Sequence, residues 1–245
     1  ETVFIPYTAS GFAACGKLFN SLLGFDYHAA MIVSAVVIVL YCTMGGFLAA
    51  STSDLVQSII MTFALAVVVI FGIVQAGGMG AVLDNAKALP GYLDMFHTHI
   101  AETNSSGDYG FFKIVSTLAW GLGYFGMPHI LVRFMSIEKP SMIKKSSIVA
   151  IVWVIISLFS AVLIAYLGRM VMGAELLTQG NQKLVFIAMA RRFFPAGICG
   201  LLLAAIIAAS ISTADSQLLV ASSSFTADLY KPFFRKNASE KETLM

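Results

Sequence analysis

Charge is what this sequence has least of. Asp, Glu, Lys and Arg together make up 11% of its 245 residues, against roughly 25% in a soluble domain. So little charge cannot clothe a water-soluble fold of this size. The net charge of +2 is too small to imply a nucleic acid as partner. Cysteine is scarce as well: Cys15, Cys42 and Cys199 each fall inside an apolar run, show no metal-ligand spacing and read as small buried residues. Four histidines without a pattern make no metal site. No nucleophile–base pair, phosphate-binding loop or paired carboxylates appear, so the chain does not read as an enzyme and no cofactor is implied. There is no signal peptide, the first residue is Glu1, and the chain opens inside an apolar run and ends in a charged stretch, 235–245. It reads as a segment of a longer polypeptide.

What is abundant is apolar surface. Hydrophobic residues make up 58% of the chain and the mean hydropathy is +0.86. Six stretches have the length to cross a bilayer core of roughly 30 Å: Val3–Phe19, His28–Ala50, Asp54–Gln75, Phe111–Phe134, Ser147–Met170 and Ala196–Phe225. They predict an all-α integral membrane protein, multi-pass in a lipid bilayer, with one transmembrane domain over 1–245. The last stretch exceeds what one crossing needs, so it must tilt, break or protrude. A long connection, 76–110, holds Gly77-Gly78, Pro90-Gly91 and Ser105-Ser106-Gly107, and a loop of that length is usually functional or disordered. A second, 171–195, predicts a short helix over 183–193. Arg133, Lys139, Lys144, Lys145, Lys231, Arg235, Lys236 and Lys241 cluster in two short basic stretches. The positive-inside rule puts these, and so the tail 226–245, in the cytoplasm. The 76–110 loop, with Asp84, Asp94, Glu102 and Asp108 against Lys87, is then extracellular. Asn104-Ser105-Ser106 matches a glycosylation acceptor, a weak signal by itself.

Polar groups inside the apolar stretches carry the functional reading, because a polar or ionisable side chain at membrane depth is tolerated mainly where it lines a cavity or binds something. In 200–225 the helix takes in Ser210, Ser212, Thr213, Asp215, Ser216 and Gln217. Ala209, Ser212, Ser216, Val220 and Ser223 share one narrow face with Thr213 at its edge. Hydroxyls and carbonyls there are hard donors that suit a hard cation; a small-residue helix–helix seam is the competing reading. In the fourth stretch Trp120, Tyr124 and Pro128 recur at i, i+4 and i+8, among Gly121, Gly123 and Gly126. Such glycine- and proline-interrupted spans point to a transporter's substrate site, where an aromatic belt with a proline kink is the alternative. Tyr7, within Pro6-Tyr7-Thr8-Ala9-Ser10-Gly11, sits in another breakable, polar patch. Asp54 follows Ser51-Thr52-Ser53 where two stretches meet; its position favours a helix cap, with Ser51 or Ser53 as alternative caps, over a cation-guiding role.

Three stretches then become familiar: GGFLAASTSDLVQ (45–57), WGLGYFGMPHILVRFM (120–135) and LLLAAIIAASISTADSQLLVASSSFTADLYKPFFRK (201–236). They resemble the solute:sodium symporter family, and within it the bacterial members that carry L-proline. The resemblance implies a leucine-transporter-like inverted repeat, in which these six spans are core helices three to eight. It implies sodium-coupled uptake of L-proline across the bacterial cytoplasmic membrane by alternating access. The family's sodium ligands fall on the Ala209 carbonyl and the Ser212 and Thr213 hydroxyls. Its substrate-site residues fall on Tyr7, Trp120 and Tyr124, with Pro128 in the same motif, and its sodium-release aspartate falls on Asp54, which reverses the preference for a cap. Met127 departs from relatives with Gln before that proline. Asp215 stands where other relatives carry serine; about 60° from Ser212 on the wheel, it borders the cation face, and a structural role is the favoured reading. A family member for another solute, such as pantothenate or a sugar, and a transporter-like sensory module of a signalling protein are the alternatives. Uptake competition tests the first, and a kinase domain downstream would support the second.

Overall fold

The computed structural model describes residues 4–173 and 182–236. Val3, Lys241 and the part of the predicted tail from 237 on lie outside these residues, as does 174–181 of the second connection. The chain is mostly helical. Helix α1 (Phe4–Leu23) keeps Pro6 in its first turn, where a missing N–H breaks no helical bond. The breakable patch expected around Tyr7 is therefore continuous helix. Gly24, at φ 72°, ends it: a left-handed residue closes the last turn, with its N–H on the Asn20 carbonyl at 3.0 Å. Asp26 then caps α2 (Tyr27–Gln75), its Oδ1 accepting the Ala29 N–H at 2.9 Å.

The 49 residues of α2 are two helices joined across a kink, with a summed rise of about 73 Å at 1.5 Å per residue, more than two bilayer cores together need. The two stretches expected as 28–50 and 54–75 correspond to the two helices on either side of the kink, with the boundary earlier in the chain than expected. Their division lies at Gly46, whose φ of 54° and ψ of −144° are non-helical and open to glycine alone at little cost. Helix resumes before Ser51, and this corrects the cap reading of Asp54. Thr52 and Ser53 turn their hydroxyls back onto the Leu48 and Ala50 carbonyls at 2.8 and 2.9 Å, so they cap nothing either.

The long connection is neither featureless nor all-α. It contains α3 (Met79–Ala88) and a hairpin of β1 (His97–Ile100) and β2 (Ser105–Asp108), antiparallel with His97 opposite Asp108 and Ile100 opposite Ser105. Asn104 takes the left-handed position of its turn at φ 48°. The fourth predicted span is interrupted: α4 (Phe111–Gly123), a 3₁₀ turn (Tyr124–Gly126), an extended Met127, then α5 (Pro128–Met135). Next come α6 (Ile143–Met172), α7 (Val185–Phe193), which matches the short helix expected over 183–193, and α8 (Ala196–Ser224). A π-helical stretch, Phe225–Phe234, follows. Among the described residues, three helical segments are long and apolar enough to cross a membrane: Tyr27–Gln75, Pro140–Met172 and Ala196–Phe234.

Two compact units result, Glu1–Met61 with Leu201–Met245, and Thr62–Gly200. In the first, Ile38, Cys42 and Ala214 form a core cluster against Phe12, Tyr41, Ile211, Leu218 and Leu219. The approach of α1 to α8 there is close, since a Cβ on Gly11 would lie 3.2 Å from that of Ala214. In the second, Trp153 donates its indole N–H to the Thr62 hydroxyl at 2.9 Å, and Tyr92 packs on Tyr166 with ring centres 5.3 Å apart.

Candidate functional site

The three residues expected to hold a cation sit on one turn of α8. Ser212 Oγ donates to the Ala209 carbonyl at 3.0 Å, and Thr213 Oγ1 donates to the same oxygen at 3.1 Å. Back-bonding of this kind is general for hydroxyls in helices. What is particular is convergence: two hydroxyls and one carbonyl bring three hard oxygens together. A cation among them would be met by the hydroxyl lone pairs once the two protons turned away from the carbonyl. Ala209 and Ser212 are half-buried and Thr213 is exposed.

One turn further, burial becomes complete. Asp215 has no exposed surface, and Gln217, Ser216 and Asp54 are 2, 7 and 8% exposed. Carboxylates so buried need donors, and hydroxyls supply them. Tyr41 of α2 donates to Asp215 Oδ2 at 2.5 Å. Ser216 Oγ lies 3.1 Å from Asp215 Oδ1, 3.3 Å from Asp54 Oδ2 and 2.9 Å from the Ser212 carbonyl. Asp54 and Asp215, far apart in sequence and on different helices, thus share one hydroxyl, which also touches the backbone of Ser212. The side-chain oxygen of Gln217 is buried without a hydrogen-bond partner among the described residues, close to Gly11.

The predicted substrate residues are arranged differently. Tyr7 lies on α1 in the first unit, 39% exposed. Trp120 and Tyr124, in the second unit, are 70 and 54% exposed, and no residue of α4 is buried. Because the helix stops at Gly123 and restarts at Pro128, the single face expected for Trp120, Tyr124 and Pro128 does not run through all three. The break falls where the sequence concentrates glycine and ends on proline. Proline lacks the N–H that would continue the ladder, and it forces Met127 into extended backbone at ψ 114°. A cavity of about 360 Å³ lies elsewhere in the second unit, lined by Gln75, Ala76, Met170, Val171, Arg192 and Phe193; no predicted site residue lines it.

The family model of the sodium:solute symporter family matches residues 2–245. The chain belongs to that family. It is 41% identical over 239 residues to the high-affinity proline transporter PutP of Bacillus subtilis, covering 98% of this chain and 49% of the relative. It is 40% identical over 228 residues to a sodium/proline symporter of Staphylococcus aureus, covering 93% of this chain and 43% of the relative. The chain thus spans about half the length of these relatives. Against the residues singled out in this family member's sequence, the structure adds Tyr41. The signal for it was present, a phenol near the end of the apolar run Val36–Cys42, whose hydroxyl needs a partner once buried.

Proposed function

We propose that a symporter containing this chain couples sodium entry to uptake of L-proline across the bacterial cytoplasmic membrane by alternating access, and is not an enzyme. The observation that carries the reading is the meeting of the Ala209 carbonyl with the Ser212 and Thr213 hydroxyls, on a helix whose next turn is a buried polar network. Membership of the family, and relatives named for proline, supply the substrate. In this reading the six predicted spans are core helices three to eight of a leucine-transporter-like inverted repeat, with α4 and α5 as two halves of one interrupted span. The 76–110 loop faces outward and 226–245 faces the cytoplasm. Sodium lies against Ala209, Ser212 and Thr213 and leaves past Asp54. Tyr7, Trp120, Tyr124 and Pro128 shape the proline site. Coupling is linkage: two ligands that favour the same conformational state raise each other's affinity by one common factor.

The test is Ser212→Ala with Thr213→Ala in a full-length symporter carrying these residues. Removing two oxygens should raise the sodium concentration for half-maximal uptake by about tenfold or more, while proline recognition at saturating sodium changes far less. An unchanged sodium requirement would reduce this face of α8 to a packing seam.

A further inference from the structure

The geometry points to Tyr41 as a positioning residue for the cation site, acting through Asp215 and Ser216; this rests on the sodium reading of Ser212 and Thr213. The Tyr41–Asp215 separation of 2.5 Å is that of a hydroxyl donating to a carboxylate. Among the described residues no Lys, Arg or His lies within ion-pair distance of Asp215. Its side-chain donors are hydroxyls, Tyr41 on Oδ2 and Ser216 on Oδ1, with the Ser216 N–H as a further, backbone donor. Ile38, Cys42 and Ala214 pack beside the pair, and in such dry surroundings each hydrogen bond weighs more than it would in water.

Ser216 has one proton and three acceptors within 3.3 Å: the Ser212 carbonyl, Asp215 Oδ1 and Asp54 Oδ2. It can serve one of them fully at a time. While Tyr41 supplies Asp215, the Ser216 proton is available to Asp54 and to the backbone of Ser212. Take the phenol oxygen away, and Asp215 has to draw the Ser216 proton to itself. The Ser212 carbonyl and Asp54 then lose it. Tyr41 thereby decides how two residues of the proposed sodium route are hydrogen-bonded, although its own contact in this network is to Asp215.

Tyr41→Phe, which removes one oxygen and no bulk, should raise the sodium concentration for half-maximal proline uptake about three- to tenfold in a full-length symporter, with half-maximal proline at saturating sodium held within about twofold. The effect should vanish in an Asp215→Ser background, where Phe and Tyr at 41 should differ by less than about twofold, since the partner is already gone. Multiplying effects, or a Tyr41→Phe protein with wild-type sodium dependence, would overturn the proposal. If Tyr41→Phe does not accumulate in the membrane, Asp215→Asn decides the matter. It keeps an oxygen for the Tyr41 hydroxyl and removes the charge that competes for the Ser216 proton, so half-maximal sodium should stay within about threefold of the wild type, and a larger rise overturns the proposal. The Ser212→Ala, Thr213→Ala protein separates the two levels. If that protein has normal sodium dependence, the sodium site itself is misplaced. If it is shifted while Tyr41→Phe is not, only the role of Tyr41 falls.

Discussion

The turn of α8 from Asp215 to Gln217 and the break between α4 and α5 are both polar interruptions of apolar helix, yet they are built in opposite ways. At the first, the side chains are buried and the charge is met inside the unit by Tyr41 and Ser216. At the second, the backbone is what changes, and the Trp120 and Tyr124 side chains stand exposed. A carboxylate inside a bundle has to be answered wherever the protein is in its cycle, because an unpaired buried charge costs several kcal/mol. An exposed indole costs little to leave waiting, and its binding energy appears when something covers it. The buried network therefore suits a site that holds and releases an ion, and the exposed break suits one that closes around a substrate.

The strongest way to break that contrast is at Asp54. Replacing it with Ala leaves the Ser216 hydroxyl with one carboxylate in place of two. Under the proposed release role, turnover at saturating sodium and proline should fall by about a hundredfold or more. Initial uptake rates at matched membrane abundance measure this, and a normal rate would remove Asp54 from the ion's route. The exposed region comes next. Trp120→Ala or Tyr124→Ala should raise half-maximal proline about tenfold, because a covered aromatic contact is typically worth a kcal/mol or more. If both proteins kept wild-type proline dependence, the break would be a hinge with a lipid-facing belt.

How far the sequence leads depends on the range of the interaction. The α4–α5 break was readable because its causes are local: Pro128 lacks an N–H, and the residue before proline is pushed out of the helical region. The division of α2 was readable as an event and misplaced in position. Ser51-Thr52-Ser53 looks like a cap cluster, whereas the backbone turns at Gly46, inside an apolar run where hydropathy shows no change. In the long connection, α3 and the hairpin were hidden because their 10- and 4-residue elements are too short for periodicity to declare. Ala209, Ser212 and Thr213 meet because i, i+3 and i+4 positions share a face, which a helical wheel already contains. The Tyr41–Asp215 bond spans 174 positions. No local pattern reports a contact of that range; it arises only when α2 and α8 pack.

The smallest expected effect sharpens the contrast from outside the apolar spans. Asp94, in the connection before the hairpin, is a carboxylate answered in water. Its Oδ1 accepts the Phe96 N–H at 2.8 Å, and Oδ2 lies 2.9 Å from His97 Nδ1. The Phe96 N–H, and after it His97, hold the Asp94 carboxyl below its ordinary range. A carboxyl lowered by folding adds order above its unfolded value of about 3.9, and that contribution disappears as pH falls through the lower folded value. The Phe96 amide should therefore exchange more slowly in the wild type than in Asp94→Ala between about pH 5 and 7, with the gap closing below about pH 4. Because Asp94 is exposed, solvent screening keeps the effect local, and proline uptake by the variant should match the wild type. A gap that persisted in strong acid would mean that the carboxylate charge is not what orders the turn. A loss of uptake would mean that this connection touches the transport cycle, and that charge answered in water matters here as much as charge answered by Tyr41.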